Sequence, residues 1–387
     1  MLRAVEIDVR SDQRWDLFVR HHPDALIYHH SNWLAVLEEE YGQKFRCLAC
    51  EDADGCVRAI LPLIQTQGMP FKIGRSPSGR RWSSLPRTPL AGPLALDDEA
   101  MSVVLRQAIA LARAEPDVQL EIKTRYHNLN DIVPELSRVP WRFTYIEQLP
   151  VQTEGAQWEE FCDHLRLPRE CGPCQGCRRL RFGNARRQHR VNWAVKKAIR
   201  LGLQVRPAET EADISAWYRL YLDSMRYDSF PPRSYRFFFN LWSRLQPLGQ
   251  MKLLLAEQKN VESSRIVAGS ILLCFGQTVF YGFTGCSHRD FRLHPHDIIQ
   301  MEAIRDSCKN GFRWYDFGEV TNADESLAQF KGKWGAEPKP LYRYYYPAPA
   351  DMLNSKPSRL ISLGRRSWRS LPLSVTALLG DRVHRYL

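Results

Sequence analysis

A chain of 387 residues that is 44% hydrophobic and 25% charged has an ordinary globular composition and is long enough for two or three domains. No run approaches the roughly 18 consecutive apolar residues of a membrane-spanning helix. Met1-Leu-Arg-Ala-Val-Glu-Ile-Asp carries acids where a signal peptide has its apolar core, so a cytoplasmic protein is expected. The ten cysteines then read as free thiols, Cys47, Cys50, Cys274 and Cys308 within apolar segments as small buried hydrophobes. The net charge of +11 is uneven: Arg169 to Arg206 is strongly basic with Glu170 as its single acid, and Lys356 to Arg385 is a second basic stretch. Fields of this sign attract phosphates.

In chain order, Phe45-Arg-Cys-Leu-Ala-Cys-Glu, an Asp/Gly turn and Val57-Arg-Ala-Ile-Leu-Pro-Leu63 spell a hairpin. A helix follows from about Asp98 to Ala114, with Met101, Val104, Leu105, Ile109 and Leu111 on one face, and then a strand, Val118–Lys123. Gln152 to about Gly202 reads as a basic, helical connector, ahead of a strand at Leu203–Arg206 and a helix at Glu209–Leu222. The grammar then repeats: a hairpin from Met251–Glu257 and Ile266–Leu273, a helix from Pro295 to Lys309 stopped by Asn310-Gly311, and a strand Arg313–Phe317. Two α/β (α+β) lobes in tandem are expected, each a mixed, mostly antiparallel sheet flanked by helices. The boundaries fall at 1–150, a connector at 151–202, a second lobe at 203–348 and a basic amphipathic tail at 349–387.

The C-terminal motifs are the most specific: Trp314-Tyr-Asp-Phe-Gly-Glu319, Ser326-Leu-Ala-Gln-Phe-Lys331, Trp334-Gly-Ala-Glu337 and Leu341-Tyr-Arg-Tyr-Tyr-Tyr346. With His29-His-Ser-Asn-Trp33, Ala59-Ile-Leu-Pro-Leu63, Ser84-Leu-Pro86, Ala91-Gly-Pro-Leu94 and Tyr281-Gly-Phe-Thr-Gly285, they follow an order that resembles the Fem-like, BioF2-like branch of the GNAT acyltransferases, including those tied to exosortase and exopolysaccharide clusters. The resemblance runs from about residue 25 to 385. It implies tandem GNAT-like lobes and the attack of an amine on an activated carbonyl, in cell-envelope, peptidoglycan or exopolysaccharide chemistry. No covalent enzyme intermediate is needed, and the chain shows neither a Gly-x-Ser-x-Gly elbow nor a recognisable Cys/His pairing.

The resemblance assigns Lys331 to the oxyanion, with Phe330 beside it. Asp316 is expected as proton acceptor or as the group that holds Lys331, and Tyr281 as a cleft residue that orients the donor carbonyl. Arg292 and His294 precede the helix at Pro295, whose N-terminus suits an anion, and Trp33 is a further substrate contact. Arg289-Asp-Phe-Arg-Leu-His-Pro-His-Asp297 has none of the glycines that cradle the pyrophosphate in coenzyme A-dependent relatives. The acyl donor stays open between aminoacyl-tRNA, acyl-CoA and an acyl-carrier protein, no tightly bound cofactor is expected, and a lipid-linked precursor suits as amine acceptor. A catalytically silent GNAT-fold binding module is the competing expectation.

Cys171-Gly-Pro-Cys-Gln-Gly-Cys177 places Cys171, Cys174 and Cys177 at metal-ligand spacing, although the second CxxC pair of a strong zinc signature is missing. The tail mixes Arg365, Arg366 and Arg369 with Trp368, Leu371, Leu373, Val375 and Leu378. It reads either as a peripheral anchor on the inner face of the cytoplasmic membrane or as a terminal helix, begun by Pro372, docked on the second lobe.

Overall fold

The computed structural model describes residues 1–42, 45–68, 79–149, 185–259, 264–321, 323–349 and 367–386. The Cys171, Cys174 and Cys177 expectation lies outside the described residues, and among those described no cluster of three or more metal-ligating groups occurs.

The first half runs β1 (Arg3–Glu6), α1 (Arg14–His21), α2 (Ser31–Tyr41), β2 (Phe45–Glu51), β3 (Val57–Thr66), β4 (Arg81–Ser83), β5 (Leu94–Ala95), α3 (Asp98–Arg113), β6 (Gln119–Thr124), α4 (Leu129–Ile132) and β7 (Ser137–Gln148). The second runs α5 (Ala185–Arg200), β8 (Leu203–Pro207), α6 (Glu211–Asp228), α7 (Tyr235–Leu245), β9 (Met251–Lys259), β10 (Ser264–Phe275), β11 (Thr278–Cys286), α8 (Pro295–Lys309), β12 (Trp314–Val320), α9 (Glu325–Gly332), β13 (Glu337–Tyr346) and α10 (Leu373–Tyr386).

Two compact units result. The first comprises Met1–Arg142, Ser229–Arg244 and Pro340–Leu387; the second comprises Phe143–Asp228 and Leu245–Lys339. Within the first, the strands are ordered β1-β2-β3-β4-β6-β13; within the second, β8-β9-β10-β11-β12-β7. The two sheets are the same sheet written twice. Each opens with three antiparallel pairings, continues with one parallel pairing, β4 to β6 or β11 to β12, and closes with an antiparallel strand. The helix that bridges the parallel strands is α3 in one unit and α8 in the other. The tandem arrangement read from the repeated hairpin, helix and strand is therefore the observed one.

The boundaries differ from the expected ones because the closing strands are exchanged. Residues of β13 pair with β6 from Tyr342 opposite Thr124 to Tyr346 opposite Leu120, which places a late strand in the first unit. Residues of β7 pair with β12 from Gln148 opposite Trp314 to Phe143 opposite Val320, which places an early strand in the second. Residues 229–244 also join the first unit, where Phe237 packs edge-on against Trp33 with ring centroids 6.0 Å apart.

The tail folds as a docked helix, but in the first unit. Gly380 of α10 lies against Pro232, His384 Nε2 donates to the Pro231 carbonyl at 3.1 Å, and Pro372 receives the Thr376 amide as the helix begins. No helix of the described residues is long and apolar enough to cross a membrane.

Candidate active site

In the second unit, β11 and β12 are hydrogen-bonded from Thr278 opposite Trp314 only as far as Phe280 opposite Asp316. Beyond that pair the partnership ends, although β11 continues to Cys286 and β12 to Val320. The register of β10 against β11 shifts between Ile271 and Leu272, and that of β12 against β7 between Asp316 and Glu319. The irregularities on both sides coincide with the place where the parallel strands part, and the expected catalytic residues are found here.

Gly318 organises the site. Its φ of +79° is left-handed, and a Cβ there would stand 3.3 Å from the Phe280 ring, so glycine is required. Its amide donates to Asp316 Oδ1 at 2.8 Å, and Thr144 Oγ1 of β7 donates to the same oxygen at 2.5 Å. The Gly318 carbonyl accepts from Lys331 Nζ at 2.9 Å, and the Glu319 carbonyl from the same ammonium at 3.0 Å. Lys331, held by α9, is 5% exposed. Burial lowers its pKa to about 8, against the opposing pull of Asp316, Glu319 and Asp324. With two of three N–H groups bound to carbonyls, one remains to meet a ligand.

Tyr281 is the first residue after the last paired position of β11. Its hydroxyl accepts from Ser270 Oγ at 3.1 Å, and burial pushes its pKa up to about 12 despite bonds to Ser270 and Gln300. Its ring centroid lies 6.5 Å from that of Phe317. Phe330 is half-buried, with Lys333 Nζ 4.4 Å from its ring centroid.

The start of α8 is arranged differently from the expectation of an open anion site. His294 caps it with a left-handed φ of 58°, and Asp297 in the first turn pairs with Lys333 and lies 3.5 Å from His294 Nδ1. The chain's own carboxylate thus answers the positive helix end. Arg292 stands exposed on the preceding turn. Trp33 belongs to the first unit and is 1% exposed in its core, edge-on to Tyr28 at 4.9 Å.

The structure therefore gathers Lys331, Asp316, Tyr281, Phe330 and His294 in one unit and places Trp33 as a packing residue of the other. Sequence reasoning missed Thr144, Ser270, Gln300, and the Asp297–Lys333 pair. Lys333, two positions beyond Lys331, was the one signal available.

The fold, with its parting parallel strands and bridging helix, is of the GNAT type. Residues 185–331 match the family model described as the acetyltransferase (GNAT) domain. The chain is similar in structure to FemX at a TM-score of 0.63 and 15% identity, over 94% of this chain and 100% of that one. A conserved protein of unknown function from Bacteroides thetaiotaomicron superposes with a TM-score of 0.56 at 12% identity, over 89% of this chain and 99% of that one. The C-terminal domain of an Agrobacterium fabrum protein named as a lysylphosphatidylglycerol synthetase gives 0.54 at 13% identity, over 90% and 98%. No curated protein sequence matches the chain.

Proposed function

We propose that the protein forms an amide by transferring an acyl or aminoacyl group to an amine acceptor in envelope, peptidoglycan or exopolysaccharide metabolism. The observation that carries this reading is the buried ammonium of Lys331, fixed on the Gly318 and Glu319 carbonyls with one N–H to spare where β11 and β12 separate. Such a donor in a low-dielectric setting stabilises the oxyanion that develops when an amine attacks a carbonyl. The amine nitrogen bonds to the carbonyl carbon, the oxygen takes up charge facing Lys331, and collapse breaks the bond to the donor's carrier, which leaves with the proton the amine gives up. Asp316 acts as a positioning residue, since its Oδ1 holds the Gly318 amide and so the carbonyl on which Lys331 rests. Tyr281 presents its phenol from the facing strand.

The likeness to FemX and to a domain named for lysylphosphatidylglycerol synthesis supports an aminoacyl donor and an envelope acceptor, such as a lipid-linked precursor. Asp297 at the start of α8 argues against a coenzyme A pyrophosphate there. The test is acyl transfer from aminoacyl-tRNA, acyl-CoA and acyl-carrier protein to an amine-bearing envelope precursor. Lys331→Ala should lower turnover about 10²–10³-fold with an unchanged circular dichroism spectrum. Undiminished turnover would reject the assignment, and no transfer from any donor would favour a binding module.

A further inference from the structure

Four polar side chains of the second unit are joined where β11 parts from β12: Ser270 of β10, Tyr281 of β11, Gln300 of α8 and Tyr315 of β12. Ile271 of β10 pairs with Phe283 and Leu272 with Tyr281, so β11 carries one extra residue, Gly282, against its neighbour. A bulge of this kind re-aims the side chains beside it. Ser270, Gln300 and Tyr315 are enclosed at 0% exposure, whereas Tyr281 is half-buried. Tyr281 is thus the member of the four that a ligand can reach. The direction of each hydrogen bond follows from the donors available. Tyr315 donates its hydroxyl to Gln300 Oε1 at 2.8 Å, which commits the carbonyl end of that amide and leaves Nε2. This nitrogen is buried and meets no acceptor at full hydrogen-bond distance, yet the amide acts as a donor on the Tyr281 phenol. Ser270 Oγ donates to the same phenol oxygen at 3.1 Å. The oxygen of Tyr281 therefore faces donors, and its own O–H proton goes to no acceptor among the described residues.

We propose that Gln300 and Ser270 are positioning residues that hold Tyr281 as a one-way hydrogen-bond donor, its O–H aimed at the oxygen of the carbonyl under attack. The proposal rests on the acyl-transfer reading and adds a second donor to the one that Lys331 supplies. Lys331 stands on carbonyls of β12, and Tyr281 approaches from β11. No proton leaves Tyr281 in this role. Burial pushes the phenol up to about 12, so it keeps its proton wherever Lys331 is charged and does not serve as a base. A donor whose direction is set before the substrate arrives stabilises developing charge without having to reorganise. The polarity of the amide is the essential feature. Gln300→Glu keeps the shape and reverses that polarity, since a carboxylate accepts from both phenols and draws the Tyr281 proton inward.

The first test needs no substrate. In fluorine NMR of the full chain labelled with fluorotyrosine, the Tyr281 resonance is identified by its loss in Tyr281→Phe. Gln300→Met should move that resonance and shift its titration to higher pH, because the phenolate loses a donor, with Tyr315 the other tyrosine to respond. The second test is steady-state transfer with the donor that supports turnover of the natural chain. Tyr281→Phe should lower kcat about 10²-fold with KM little changed, and Gln300→Glu should match it. The double variant should be no slower than Tyr281→Phe alone, since both changes remove the same donor. Additive losses would give Gln300 a structural part only and overturn the proposal. So would an unmoved Tyr281 resonance in Gln300→Met, or full turnover in folded Gln300→Glu. Absence of transfer from every donor fails the acyl-transfer reading and this proposal with it, whereas an inactive Lys331→Ala beside a fully active Tyr281→Phe fails this proposal alone.

Discussion

Glu121 in the first unit and Asp316 in the second hold the same place in their sheets. Each is the last residue of its strand in parallel pairing, Glu121 opposite Ser83 and Asp316 opposite Phe280. Their surroundings have diverged. Glu121 is 1% exposed and meets Arg343 at 2.6 Å, Arg81 at 3.3 Å and the Ser83 hydroxyl at 3.2 Å. Asp316 instead holds a glycine amide and, through that residue, a lysine with a donor in reserve. The first unit has closed this position with arginines, whereas in the second Asp316 is bound by the Thr144 hydroxyl and the Gly318 amide.

The proposed oxyanion role of Lys331 makes its pKa a limit on activity. A lysine depressed from 10.5 to about 8 is protonated below that pH and loses its oxyanion-binding charge above it. The rate kcat/KM should therefore fall as pH rises through about 8, and Lys331→Arg should remove that alkaline limb because a guanidinium stays charged. A pH profile of both proteins checks this. An alkaline limb that persisted in the arginine variant would assign it to another group.

Gly318→Ala should injure stability and rate together. The left-handed φ and the Phe280 ring at 3.3 Å from a Cβ both oppose the methyl group, at a cost of about 1–2 kcal/mol. Because the residue also carries Lys331, kcat should drop more than KM changes. Denaturant unfolding beside steady-state kinetics separates the two effects.

Glu121→Gln should destabilise the first unit by about 3–5 kcal/mol at neutral pH, as the loss of one partner leaves buried cations uncompensated. Burial works against the Glu121 carboxylate, yet Arg343, Lys123 and Arg81 hold its pKa down at about 2, below the ordinary 4.5. A depressed carboxylate stabilises above its unfolded pKa, so the natural chain should lose this contribution as pH falls from 4.5 toward 2. The glutamine variant should lack that portion of the acid dependence, as read by unfolding at a series of pH values.

Glu147 of β7 behaves in the opposite sense. Burial and the nearby Glu337 raise its pKa to about 7, and its carboxylate lies against Gly335, 2.7 Å from where a Cβ would stand. A raised carboxyl favours the fold below the unfolded value of 4.5, and that benefit fades as pH rises through 7. Glu147→Gln should accordingly raise Tm at pH 8 by about 2–5 °C and leave it nearly unchanged at pH 4. Equal shifts at both pH values would point to packing instead of ionisation.

Much of the fold was written locally. The hairpins at Phe45–Glu51 with Val57–Thr66, and at Met251–Lys259 with Ser264–Phe275, announce themselves by apolar runs around polar turns. Pro295 and the Asn310-Gly311 stop bracket α8 as expected. Lys331 was legible by motif, but its burial was not, because that depends on the Gly318 carbonyl turning inward. The Thr144 hydroxyl reaches Asp316 across 172 positions of sequence, a pairing that no local period encodes. The exchange of β7 and β13 was hidden for the same reason: a strand's own residues state that it will pair, and the partner is chosen by the assembled sheet.

That exchange constrains how the chain matures during synthesis. When residues 1–142 leave the ribosome they have every strand of their sheet except the one supplied by Tyr342–Tyr346, whose Tyr344 and Tyr345 are fully enclosed in the finished protein. The open edge of β6 must wait for about 200 further residues, at 5–20 residues per second, while the second sheet takes its closing strand from a segment already made. The half translated first is thus completed last, and its unpaired edge is the stretch that holdase chaperones would need to shield.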